Sequence, residues 1–151
     1  MRLARFIAAG FGTGYAPRAP GTVASAAAVL VGAVLLAVFP PALALAALVA
    51  TIGGFIAVER AGITGDPNWV VIDEFAGQWI ALLALARPTV SGLLAAFILF
   101  RVLDITKPGP VGWADRRHGT FGIMADDVIA GAITALVLVM ARLLWPELLL
   151  L

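Results

Sequence analysis

Long apolar runs separated by short polar breaks set the pattern of this chain, and they predict helices that cross or line a bilayer. Thr22 to Phe39 runs eighteen residues without a charge, which as a helix spans roughly 27 Å, close to a bilayer's hydrocarbon thickness. Pro40 and Pro41 end it, and Ala42 to Val58 follows as a second uncharged run closed by Glu59 and Arg60. So short a turn makes the two helices antiparallel neighbours. A third helix is predicted from about Val70 to Ala86, with Asp73, Glu74 and Gln78 in its first turns and a stop at Arg87 and Pro88. Thr89 to Leu103 gives a short fourth helix, after which Pro108 and Pro110 break the chain. Asp126 to Trp145 gives the fifth, with Asp126 and Asp127 in its first turn and Pro146 beyond its end. Nothing alternates with the period of a strand. The expected fold is all-α: a small integral membrane bundle of about five helices, forming one domain over residues 1–151.

The first residues break this pattern. Arg2 to Gly10 suits a short interfacial helix, but Gly10, Gly12, Gly14, Pro17, Pro20 and Gly21 forbid regular helix across FGTGYAPRAPGT, which reads as an ordered loop or a re-entrant segment. The basic start is that of a signal peptide. Its apolar run is only a few residues long and no convincing small-residue cleavage site follows, so the segment is expected in the mature protein.

Composition agrees with the membrane reading. The chain is 62% hydrophobic and 13% charged with a mean hydropathy of +1.05, against about 45–50% and 25% in soluble domains. A net charge of +1 offers no dense basic face for nucleic acid. The absence of cysteine excludes a cysteine nucleophile, a thiolate metal site and a disulfide framework.

Charge placement is one-sided. If five helices cross in alternation, Arg2, Arg5, Arg18, Arg60, Arg101, Lys107, Arg116 and Arg117 share one side, and only Arg87 and Arg142 lie opposite. The positive-inside rule makes the charged side cytoplasmic. It also collects Glu59, Asp66, Asp73, Glu74, Asp104, Asp115, Asp126 and Asp127, leaving Glu147 opposite. The stretch from Arg101 to Asp127 alone holds eight of the nineteen charged residues and the single histidine.

Three acidic groups sit at predicted helix ends: Asp73 with Glu74, Asp104, and Asp126 with Asp127. Capping explains a carboxylate in a first turn, worth about 0.3–1 kcal/mol. It explains neither the doubled acids nor Asp104, which lies at the wrong end of its helix for the dipole. Hard oxygen ligands converging from several helices suit Mg²⁺ or a similar divalent ion, and one histidine without cysteine argues against zinc. Arg101, Asp104 and Lys107 recur every three residues on one helical face, either as an ion-pair ladder snorkelling to the interface or as part of a phosphate site. Arg116, Arg117 and His118 follow in a Gly-rich loop where guanidinium groups can grip phosphate. His118 is a candidate general acid or a solvated loop histidine. The N–H groups around Thr22 offer an anion site, or Thr22 is simply an N-cap; no P-loop is present. Gly77 and Gly131 lie four residues after Asp73 and Asp127, where small residues let helices approach and bring the acids together.

The blocks APRAPGTVAS (16–25), VIDEFAGQWIAL (71–82) and FRVLDITKPGPVGWADRRHGTFGIMADDVIAG (100–131) together resemble the phosphatidylglycerophosphatase A family. The chain departs from the family at KPGP and HGTFGIM but keeps the charged positions. The resemblance implies a multi-pass enzyme of the bacterial inner membrane, dependent on Mg²⁺, that removes the terminal phosphate of phosphatidylglycerophosphate to give phosphatidylglycerol. Its phospholipid substrate and the surrounding membrane lipids are the implied partners. A phosphomonoester held by a divalent ion would be attacked by water that the ion or an aspartate activates, with an aspartyl-phosphate route left open. Asp73, Asp104, Asp127 and His118 are the catalytic candidates. Asp73, Glu74, Asp104, Asp126 and Asp127 are the metal candidates, and Thr22, Arg101, Lys107 and Arg116 the substrate-binding ones. A phosphomonoesterase with another substrate, or a transporter burying acids along a pathway, is the alternative. The spaced aspartate motif of CDP-alcohol phosphatidyltransferases is missing.

Overall fold

A computed structural model describes residues 2–145, so Pro146 and Glu147, expected past the last helix, lie outside the described residues. The expected all-α architecture is present, and no strand occurs among the described residues. The helices are α1 (Arg2–Ala8), α2 (Pro20–Val38), α3 (Pro40–Arg60), α4 (Ile72–Leu82), α5 (Val90–Thr106), α6 (Pro110–Asp115) and α7 (Gly119–Leu144), with a 3₁₀ segment at Gly10–Tyr15. Three of them, α2, α3 and α7, are long and apolar enough to cross a membrane. Their outward faces carry exposed Leu30, Val34, Leu48, Ile52, Val137 and Leu143, the surface a bilayer would cover.

The five expected runs therefore need correcting in four places. Pro40 and Pro41 do not fill a turn but open α3, where a proline's missing N–H costs nothing. The Gly-rich N-terminal segment is not wholly irregular: it winds into 3₁₀ turns around a kink at Phe11 and Gly12. Phe11 adopts the left-handed region, φ 57° and ψ 27°, at a cost of roughly 1–2 kcal/mol for a residue with a side chain. Pro110 starts a short helix, α6, where a loop was expected. The largest difference concerns α7, which begins at Gly119, so Asp126 and Asp127 lie two turns inside it and cap nothing.

The third expected helix is also much shorter than predicted. At eleven residues, α4 rises only about 16 Å. It is buried nearly all round, packed by α2, α3, α5 and α7, and forms the axis of the bundle. A helix ending inside the hydrocarbon leaves carbonyls unsatisfied unless protein supplies donors. Here Arg142 of α7 donates Nη1 to the Ala84 carbonyl at 3.1 Å.

Small residues let the outer helices reach this axis. The buried face of α2 is Ala24, Ser25, Ala28 and Gly32, a stripe of the kind that promotes close packing in membranes. A Cβ at Gly32 would press on Leu82 and the Trp79 indole. Trp79 in turn donates Nε1 to the Ala28 carbonyl at 2.8 Å, worth about 0.6 kcal/mol if it matches the mean for such bonds between membrane helices. The closest approach joins α4 to α7 at Gly77 and Gly131, where each added Cβ would strike the other helix's backbone.

Candidate active site

Three helix ends and the interior of a fourth helix converge on one polar cavity of about 530 Å³. The N-terminus of α2 brings Gly21 and Thr22, the first turn of α4 brings Asp73 and Glu74, and the end of α5 brings Arg101 and Asp104. Lys107, just past α5, and Asp126 and Asp127 on α7 complete the charged lining, with Asp66 from the 61–71 loop. Asp73, Asp126 and Asp127 are 8%, 6% and 3% exposed.

The carboxylates fall into two overlapping groups. Oxygens of Asp73, Glu74 and Asp127 lie within 4.8 Å of one another, and so do oxygens of Asp104, Asp126 and Asp127. Asp127 belongs to both. The depth of Asp127 in α7, set by the Gly77–Gly131 contact one turn below, makes this sharing possible. In each doublet the first acid holds the second's backbone: Glu74 N donates to Asp73 Oδ1 at 3.1 Å, and Asp127 N to Asp126 Oδ1 at 3.0 Å.

Two cations balance part of this charge. Arg101 donates to Asp104, lies 3.8 Å from Glu74 Oε1, and reaches Thr22 Oγ1 at 3.3 Å and Ser25 Oγ at 3.5 Å. Thr22 is inside α2 rather than at its cap position, which Ala19 occupies. A Cβ at Gly21 would fall on Glu74 Oε1, so the Glu74 carboxylate already sits against the positive end of α2. Lys107 donates to Asp126 Oδ2 at 2.8 Å and to Asp115. Burial by itself would lower its pKa, but these hydrogen bonds and the two carboxylate charges outweigh that and hold it above the ordinary lysine value.

Six acidic side chains and two basic ones line the cavity. Glu74 Oε2 and Arg101 Nε are buried without a hydrogen-bond partner. An acid-rich, sulfur-free and histidine-free donor set of this kind fits a hard divalent cation.

Two of the expected site residues are not brought in. His118 is exposed and lines a separate cavity of about 200 Å³ with Gly65, Asp66, Asp115 and Arg117. Arg116 is exposed at the end of α6 and lines neither cavity. Arg117 stacks on Trp113 at 4.6 Å. Conversely, Asp66 and Asn68 line the main cavity and were not singled out. The only sequence signal for them was a polar Asp-Pro-Asn turn in a loop directly before the acidic doublet.

The family model described as Phosphatidylglycerophosphatase A matches residues 6–142. The chain is 40% identical over 147 residues to Phosphatidylglycerophosphatase A of Escherichia coli (strain K12), covering 93% of this chain and 84% of the relative. It is 38% identical over 144 residues to the protein of the same name from Haemophilus influenzae, covering 92% and 88%. A Bacteroides thetaiotaomicron protein with the provisional name phosphatidylinositol-3-phosphatase is 36% identical over 145 residues, covering 90% and 91%. No solved structure matches the chain.

Proposed function

The chain belongs to the phosphatidylglycerophosphatase A family and is a phosphatase, and from that premise we infer that its polar cavity hydrolyses the terminal phosphomonoester of phosphatidylglycerophosphate. The observation that carries this reading is the shared position of Asp127 between two carboxylate groups in a cavity that also presents Arg101 and Lys107.

Asp73, Glu74, Asp104, Asp126 and Asp127 would hold Mg²⁺, which when bound supplies Lewis-acid polarisation of phosphoryl oxygens. Arg101, fixed between Asp104 and Glu74, places its guanidinium charge on the cavity wall and stabilises charge as it develops on the phosphate. Lys107, bonded to Asp126, does the same while remaining protonated. A water oxygen forms the new bond to phosphorus as the bond to the glycerol oxygen breaks. The water proton passes to a lining carboxylate, Asp73 or Asp104, which hands it on to the departing glycerol oxygen so that this leaves as a hydroxyl. Phosphatidylglycerol and inorganic phosphate are the products.

The basic residues Arg18, Arg60, Arg101, Lys107, Arg116 and Arg117 gather at this end of the bundle, which supports a cytoplasm-facing site in a bacterial inner membrane. The provisional name of the Bacteroides relative points to a second substrate, an inositol phospholipid phosphomonoester. The deciding experiment gives purified protein each lipid in turn with Mg²⁺. Phosphate release from phosphatidylglycerophosphate that stops with EDTA and in Asp127→Asn supports the reading. Faster turnover of the phosphoinositide transfers it to the second substrate, and undiminished turnover in Asp73→Asn, Asp104→Asn and Asp127→Asn removes the cavity from the reaction.

A further inference from the structure

On the other face of α4 from the acids lies a groove of about 420 Å³, walled by Ile7, Phe11, Val49, Gly53, Ile72 and Trp79, with Ala46, Ala50 and Gly54 at its floor. It shares no lining residue with the polar cavity. Ile72 and Trp79 are seven residues apart and so lie on one helical face. No charged side chain lines the groove, and its one polar atom, Trp79 Nε1, is engaged by the Ala28 carbonyl. A polar ligand would find no partner there.

Two features indicate that the groove is a formed site. Its lip is Phe11, 56% exposed and held in a left-handed conformation that residues with side chains avoid. Edge-on contacts from Phe6 at 5.9 Å and Phe75 at 6.1 Å fix that ring over the opening. Backbone strain that the surroundings maintain is commonly found at ligand clamps. Second, Gly53 faces open space, with no atom within 4 Å of a Cβ built on it, so the void is not a packing defect filled by neighbours. The groove is continuous with the exposed row Leu45, Leu48, Val49, Ile52 and Ile56 along α3, a helix long and apolar enough to cross a membrane. A bilayer crossed by α3 would set hydrocarbon chains against that face.

We propose that this groove binds one acyl chain of a bilayer phospholipid beneath Phe11, on the face of α4 remote from the phosphomonoester cavity. The inference rests on membrane insertion and not on the phosphatase reading, so either can fail alone. Trp79, 8% exposed, is the internal reporter. Trp69, Trp113 and Trp145 are replaced by phenylalanine, and the protein is reconstituted in phosphatidylcholine vesicles whose acyl chains carry bromine, a contact quencher of indole fluorescence. Trp79 emission is expected to fall relative to unbrominated vesicles, and Gly53→Leu, which fills the void, is expected to abolish most of that loss while helix content is unchanged. Should Gly53→Leu fold poorly, Ala46→Leu fills the same space. Unquenched Trp79, or quenching equal with and without the filling side chain, overturns the proposal. A second copy of the chain seated in the groove would shield Trp79 and give the unquenched result.

Discussion

Gly131 of α7 rests on the carbonyl of Gly77 of α4, and a Cβ on Gly77 would in turn strike the Asp127 carbonyl. Each glycine lies four residues beyond an acid, Asp73 on α4 and Asp127 on α7, so the contact sets how far apart those carboxylates stand. Separating the helices by one methyl group is expected to move Asp127 out of the Asp73–Glu74 group. Gly131→Ala should cost about 1–3 kcal/mol of stability, the usual range for overpacking, and should weaken divalent-ion binding more than a stability loss explains. Thermal unfolding and Mn²⁺ titration on the same sample separate the two effects. Gly53→Ala, with nothing near its Cβ, is the silent control.

Asp127 serves both carboxylate groups, whereas Asp126 serves one and is tied to Lys107. Asp127→Asn should therefore reduce divalent affinity beyond the roughly 10–100-fold loss that follows removal of a supporting partner, and more than Asp126→Asn does. Calorimetric titration of each variant orders them. Equal losses would show that the two groups do not share a ligand.

Removing the ion should also loosen the fold. Binding to the native state alone adds about 2.7 kcal/mol at a hundredfold excess over Kd, so EDTA is expected to lower the unfolding temperature and Mg²⁺ to restore it. Asp127→Asn should lose most of that response.

Lys107 carries a raised pKa from its bonds to Asp115 and Asp126. A cation whose folded pKa lies above its unfolded one contributes fully below the unfolded value, here 10.5, and loses that contribution only as pH climbs through the folded value. Any fall in activity or stability between neutral pH and 9 must come from other groups. A Lys107→Met variant is expected to lower kcat/KM without changing the position of that alkaline limb, and Lys107→Arg to recover part of the rate. A limb that moves in Lys107→Met would contradict the assignment.

The cavity is lined by Arg101 and Lys107 but not by Arg116 or His118. Arg101→Met should lower kcat by about 10²–10³, as the loss of one oriented donor to a developing charge does. Exposed Arg116 and His118 line no part of the cavity. Arg116→Ala and His118→Ala are expected to keep kcat within a few fold and stability within about 0.5 kcal/mol. A bell-shaped rate profile that loses a limb in His118→Ala would restore the histidine as an acid.

What could be read from the chain alone was whatever depends on local composition. Uncharged runs of bilayer length located α2 and α3 to within two residues at each end, because hydropathy and proline act within a segment. The pairing of Gly77 with Asp73 and of Gly131 with Asp127 was legible for the same reason, as a spacing on one helix. Boundaries inside mixed stretches were not. Gly119 and Gly122 mask two turns of α7, so the sequence pattern puts Asp126 and Asp127 in its first turn, although α6 packs against α7. The apolar residues from Leu83 to Ala86 conceal the end of α4, beyond which Ala84 is bonded by Arg142, 58 residues away.

The sequence by itself determined an all-helical, membrane-type chain with acids and cations in three separated blocks, and its motifs carried the family resemblance. Only the tertiary structure decided that α4 is the axis and that Asp127 joins two carboxylate groups. It also left His118 and Arg116 outside. A side chain's depth and partners are set by how neighbouring helices cross, and crossing depends on contacts such as Gly77 with Gly131 that bring together residues 54 positions apart.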